Sequence, residues 1–351
     1  MKRTIAKGVL FLVAPLFLLE VMLRAGIVPA APDTWYRPVA TAVCRGHVDF
    51  VFVGSSRVAA AIHAEAFARR VAAVIGRPAN AVNLGRGYTT LVEHELAVRQ
   101  LYETCPAQMK DATILVEASE GLMEFSTFHD PWVHPDDPRL IVPLLRRGDV
   151  MRLWRESATP LTDKVELTAR LLRSVDYVDV TRRRLLNVGE RVSDFVEARR
   201  HEAAAAPAAS DLTSDGGVLT DPAGMERARR LAVTFVASMS RDDERVEDWS
   251  SSVLMDFNQM VRSHGGRMIV YRMPVSSVFR APLETPGRRR AAAGFQRAVA
   301  AADIPYLPVS FLTADEDFPD AWHLRNSRAD EFSRRVAEDF LALRPAQLAW
   351  R

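Results

Sequence analysis

Five short apolar runs punctuate the chain, each closed by a glycine, a proline or a polar residue. The run 47–53 is almost continuously apolar and stops at Gly54, and Asn80-Ala81-Val82-Asn83-Leu84 stops at Gly85. Thr113-Ile114-Leu115-Val116-Glu117, Arg267-Met268-Ile269-Val270-Tyr271 and Ile304-Pro305-Tyr306-Leu307 complete the set. Short unalternating apolar runs are the pattern of strands buried on both faces. Helical stretches through Ala64–Ala73, Leu91–Glu103, Arg288–Ala301 and Ala329–Leu343 fill the intervals. Strands alternating with helices predict an α/β domain, a parallel sheet covered on both faces in three α/β/α layers.

Between Phe125 and about Trp249 that rhythm stops. Helical patterns run through 144–156, 165–175 and 178–196, followed by an Ala-rich stretch (201–210) and Ser214-Asp215-Gly216-Gly217. The pattern predicts an α/β domain over 31–124 and 246–351, interrupted by a largely helical insertion over 125–245 with a flexible stretch near 201–223. The insertion reads either as a lid or substrate-recognition region or as a packing subdomain. No internal repeat is found.

At the N-terminus, Lys2, Arg3 and Lys7 precede an apolar run from Gly8 to Leu23 broken by Glu20. Extended to Pro29, it reaches the roughly 20 residues that span a bilayer. Glu20 and Arg24, four apart, can pair on one helix face. Positive charge ahead of the run keeps the N-terminus inside and places residues from about 31 onward outside the cytoplasm. Residues 1–30 are therefore expected to anchor the chain in the inner membrane, facing the periplasm. Cleavage as a signal peptide near Val28-Pro29-Ala30 remains open. In such a compartment Cys44 and Cys105 fit a single disulfide or two free thiols.

Charge is nearly balanced, with 46 Lys and Arg against 44 Asp and Glu, so nothing points to a nucleic-acid partner. The runs 182–184 and 288–290 of arginine read as solvated helix faces. The loop 129–137 carries His129, His134 and three aspartates, but its prolines break the helical spacing that brings two ligands together. No metal or cofactor is expected.

The chemistry concentrates at two places. Gly54-Ser55-Ser56-Arg57 sets serines on the turn after the first strand, and Asp320-Ala321-Trp322-His323 sets a carboxylate three residues before a histidine. Ser56, Asp320 and His323 supply the three groups of nucleophilic acyl chemistry. Taken singly, the serines also suit a helix cap and His323 a surface position. Gly85, Ser119 and Arg272 likewise fall just past strand ends, where reactive groups of parallel sheets gather.

These blocks, with Asn83-Leu84-Gly85, resemble those of the SGNH (GDSL-type) hydrolase superfamily. They are closest to its Gly-Ser-Ser branch, which includes membrane-anchored proteins of cell-envelope and exopolysaccharide O-acylation. The resemblance covers roughly 48–120 and 265–343. It implies a flavodoxin-like sheet and a serine esterase or O-acyltransferase acting on acyl esters of glycans, acetyl esters first among them. It also implies a glycan substrate, and the expected anchor leaves a membrane acyltransferase as a further candidate partner. Ser56 becomes the nucleophile, His323 the base and Asp320 its orienting carboxylate. Ser55 stands where others have aspartate. The oxyanion donors become the Ser56 and Gly85 N–H groups. Superfamily members usually add an asparagine after the third strand. Glu117-Ala118-Ser119-Glu120-Gly121 has none, which leaves Ser119 as the substitute. Arg57 and Arg272 are candidate substrate-binding residues. The same departure admits a second reading, a non-catalytic glycan-binding or assembly scaffold.

Overall fold

The computed structural model describes residues 36–117 except 88, 144–156, 161–170, 243–284, 286–309, 313–320 and 322–343, and parts of 14–25 and 224–233. In chain order the first elements are α1 (Tyr36–Val43), β1 (Phe50–Val53), α2 (Ser56–Ala61), α3 (Ala64–Ile75), β2 (Ala81–Asn83), α4 (Leu91–Thr104) and β3 (Thr113–Glu117). Then follow α5 (Arg147–Glu156), α6 (Leu161–Arg170), α7 (Asp243–Ser263), β4 (Arg267–Tyr271), α8 (Ser277–Leu283), α9 (Pro286–Ala301), β5 (Tyr306–Leu307) and α10 (Asn326–Leu341).

The chain divides into two compact units, residues 1–37 with 138–212 and residues 38–137 with 213–351. In the first, α5 and α6 pack together, and Trp154 Nε1 donates to Thr168 Oγ1 at 2.9 Å. The second holds the sheet. Its strands run in the order β2-β1-β3-β4-β5, and every pairing is parallel. The order reverses direction between β1 and β3, the switch point of a doubly wound sheet.

Parity along the strands explains the layers, because successive side chains leave opposite faces. Phe50, Phe52, Leu115, Ile269 and Tyr271 form one core with Val58, Phe67, Val336 and Phe340 of α2, α3 and α10. Phe67 meets Phe52 edge to face at 4.8 Å between centroids. The alternate residues, Val51, Val53, Ile114, Val116, Met268 and Val270, are equally buried on the other face, where α7 packs on β4 and on α4 and α9. Helices thus flank the sheet, in keeping with three layers.

Three strands are shorter at their N-terminal ends than the apolar pattern predicts, β2 by Asn80 alone. Pro305 has no N–H for a ladder, so β5 begins at Tyr306, while the Pro305 carbonyl still accepts from Val270 N–H. Before β1, the Asp49 carboxylate binds Arg77 Nη1 and the Asn80 N–H, both at 2.9 Å, while its backbone bonds the Asn80 carbonyl and the Thr113 N–H. Cys44 and Cys105 form a disulfide that ties the ends of α1 and α4, with Cα atoms 5.3 Å apart.

The predicted N-terminal anchor falls largely outside the described residues. Among the described residues no helix is long and apolar enough to cross a membrane. Most of the predicted insertion, with the 201–223 stretch, also lies outside them.

Candidate active site

The first strand delivers the serines. β1 is buried on both faces and runs straight into Gly54, where a Cβ would meet Val58 Cγ2 at 2.2 Å and Glu117 Oε2 at 2.6 Å. Only glycine fits there. Ser55 follows in extended conformation as the N-cap of α2, its hydroxyl accepting the Arg57 N–H at 3.2 Å. Ser56 is therefore the first helical residue, at the carboxyl edge of the sheet beside the switch point. Its backbone N–H is one of the helix's unsatisfied first-turn donors.

The last loop of the α/β unit brings the other two groups. Phe318 and Leu324 are buried on either side of it. The Arg325 N–H donates to the Asp317 carbonyl at 2.8 Å, and Arg328 Nε lies 3.0 Å from Asp317 Oδ1. Asp320 Oδ1 accepts the backbone N–H groups of Trp322 (2.9 Å) and His323 (2.7 Å), closing a tight turn. Its second oxygen lies 2.7 Å from His323 Nδ1, and His323 Nε2 lies 2.7 Å from Ser56 Oγ.

Burial pushes the Asp320 carboxyl upward. Hydrogen bonding from the His323 ring, that ring's charge, and the two backbone N–H groups outweigh it and hold the carboxyl below its ordinary value. An ionised Asp320 only accepts, so Nδ1 carries the proton and Nε2 presents its lone pair to the Ser56 hydroxyl. The arrangement can withdraw a proton from Ser56 as its oxygen becomes a nucleophile. Trp322 flanks the ring, 6.2 Å from His323 and 5.7 Å from Phe279 between centroids.

The structure thus brings Ser56, Asp320 and His323 together from opposite ends of the unit. Other candidates sit differently. The Gly85 N–H, expected as an oxyanion donor, donates to Asn83 Oδ1 at 2.7 Å. A Cβ at Gly85 would meet the Ala59 nitrogen at 2.4 Å, so glycine is required there by close packing on α2. Arg57, expected to meet substrate, is buried: Nη2 donates to the Pro274 carbonyl at 2.9 Å and Nη1 lies 3.4 Å from Glu117 Oε1. With a side chain 9 % exposed and so engaged, Arg57 braces Glu117 against the segment after β4. Arg272 is exposed just past β4, its N–H on the Leu307 carbonyl. It lies at the same sheet edge two strands from β1, about 10 Å away at ordinary strand spacing. Ser119 and the 129–137 loop lie outside the described residues. No group of metal-ligating side chains occurs among the described residues.

Two residues at the site carry no role in the sequence reading. Asn83 Nδ2 donates to the Val58 and Ile62 carbonyls, at 3.0 and 2.7 Å, tying the β2 loop to the end of α2. Glu117, fully buried at the end of β3, accepts both the N–H and the hydroxyl of Ser55. The signal for Glu117 was a lone charge closing an apolar strand. No known protein-family model matches the chain, and no curated protein sequence is significantly similar to it.

Proposed function

We propose that the protein is a membrane-anchored, extracytoplasmic serine esterase or O-acyltransferase of SGNH type, acting on acetyl or related acyl esters of cell-envelope or exopolysaccharide glycans. The observation that carries this reading is the continuous relay Ser56 Oγ–His323–Asp320, with both links at 2.7 Å. The sheet order, the residues quoted above for the resemblance, and a disulfide suited to an oxidising compartment all support it.

In the reaction Ser56 Oγ attacks the ester carbonyl as His323 Nε2 takes its proton. The tetrahedral oxyanion faces the Ser56 N–H. Collapse expels the alcohol, which recovers the proton from His323 and leaves an acyl-serine. Water, or a glycan hydroxyl in the transferase, then attacks that ester with His323 again as base. Asp320 stabilises the imidazolium in both halves and keeps its own charge.

One observation favours the scaffold alternative: the Gly85 N–H is already engaged, which removes one of the expected oxyanion donors. The two readings separate in one experiment on the full-length protein. We expect turnover of an acetyl ester and labelling of Ser56 by an organophosphonate, with Ser56→Ala and His323→Ala each lowering kcat by about 10⁴-fold or more. A parent that neither turns over nor labels would overturn the esterase reading and favour the scaffold.

A further inference from the structure

We infer that Glu117, neutralised by Arg57, is the positioning residue of the nucleophile turn. The inference rests on the reading of Ser56 as nucleophile. Every polar group of Ser55 is engaged. Its N–H donates to Glu117 Oε2 at 2.7 Å and its hydroxyl donates to the same oxygen at 2.8 Å. The hydroxyl also accepts from Arg57 N–H, and the Ser55 carbonyl accepts from Ala59 N–H at 3.1 Å.

A planar trans peptide sets the next N–H opposite to the carbonyl before it. Directing the Ser55 carbonyl along α2 therefore aims the Ser56 N–H back out of the helix start, toward the side where the oxyanion forms. The same restraint sets where the Ser56 Cα places its hydroxyl relative to His323.

The carboxylate itself does not reach substrate: its side chain is 0 % exposed and sits beneath the turn. The space it occupies exists because residue 54 has no Cβ. Glu117 stands opposite Tyr271 in the β3–β4 register, and burial followed by the Glu117 charge pushes the Tyr271 phenol well above its ordinary range. That ring stays neutral, so Arg57 is the cation that balances Glu117. A buried ion pair is a costly way to gain stability alone. Here it holds the one residue that fixes the nucleophile. A bare carboxylate at this place would oppose a developing oxyanion; paired with Arg57 it constrains without that penalty.

Glu117→Gln distinguishes positioning from charge. Removing a negative charge near the oxyanion raises the rate if electrostatics dominates and lowers it if geometry does. We expect kcat to fall by about 10²-fold, the scale of a misplaced reacting group, with KM near the parent value. Ser55→Asp keeps the helix cap but sets a second carboxylate against Glu117. It should lose activity comparably, and adding Glu117→Gln, whose amide can donate to the introduced carboxylate, should restore much of the loss. Thermal unfolding of each variant shows which are folded. If Glu117→Gln does not fold, Ser55→Ala, which leaves the Glu117–Arg57 pair intact, decides: lower kcat at parental KM supports the role. Parental kcat in Glu117→Gln or Ser55→Ala, or a double variant no faster than Ser55→Asp, would overturn it. A parent without turnover or labelling overturns the nucleophile reading, and this one with it.

Discussion

Asp320 serves the site through both of its oxygens, one holding the turn that carries His323 and the other the imidazole. Its hydrogen bonds keep its folded pKa below the ordinary 3.8, so its contribution to stability is complete above that value and vanishes as pH falls through the folded one. Asp320→Asn should thus lose stability at neutral pH, and the gap in unfolding free energy from the parent should begin to close as pH falls below about 3.8 and vanish once it passes the lower folded value, followed by denaturant titration across pH. Its kcat should fall by about 10⁴-fold, as an amide favours the wrong imidazole tautomer. At this scale Ser56, Asp320 and His323 were legible because residue type and chain order suffice to nominate them. The states of Gly85 and Arg57 were not. The Arg57 guanidinium is held by a carbonyl 217 residues away, and the Asn83 amide that takes the Gly85 N–H is itself aimed by the Val58 and Ile62 carbonyls more than 20 residues away, which no local pattern contains.

Among the elements, α4 buries three consecutive titratable residues, Glu93, His94 and Glu95. Burial pushes Glu93 up to about 7, against the opposing pull of Arg86 and the Thr90 N–H, and pushes His94 down to about 3. The two act in opposite directions. Glu93 favours the fold below its ordinary 4.5, a contribution lost as pH rises through 7. His94 favours it above its ordinary 6.5, a contribution lost as pH falls through 3. Between pH 4.5 and 6.5 their slopes offset. Glu93→Gln should expose the His94 slope, a rise in stability of about 1.4 kcal/mol per pH unit across that window, measurable by denaturant unfolding at stepped pH. The strands themselves were legible, β3 and β4 to the residue, because a parallel strand buried on both faces leaves an apolar run that no surface requirement interrupts. The short helix α2 was not, although the stretch after its end at Ile62–His63 was. That end is held by contacts to α10, the His63 N–H on Ser333 Oγ and the ring between Asp330 and Asn326.

Across the whole molecule, the Cys44–Cys105 bond closes a loop with a sequence separation of 61 around β1, β2 and the nucleophile turn. Loop-closure entropy assigns such a link about 4 kcal/mol. Cys44→Ser, or reduction of the parent, should lower the denaturant midpoint accordingly, with Ser56 reactivity retained below the transition. The site itself is assembled from both ends of its unit, since 267 residues separate the Ser56 hydroxyl from the imidazole that activates it. At a ribosomal pace of about 5–20 residues per second, Ser56 is made roughly 15–50 s before His323 exists. Throughout that interval it is an ordinary alcohol, and a nascent chain bearing it can neither cleave nor capture an ester. Under the proposed chemistry, full reactivity thus awaits the loop that carries His323, and a chain truncated ahead of it lacks the base that activates Ser56.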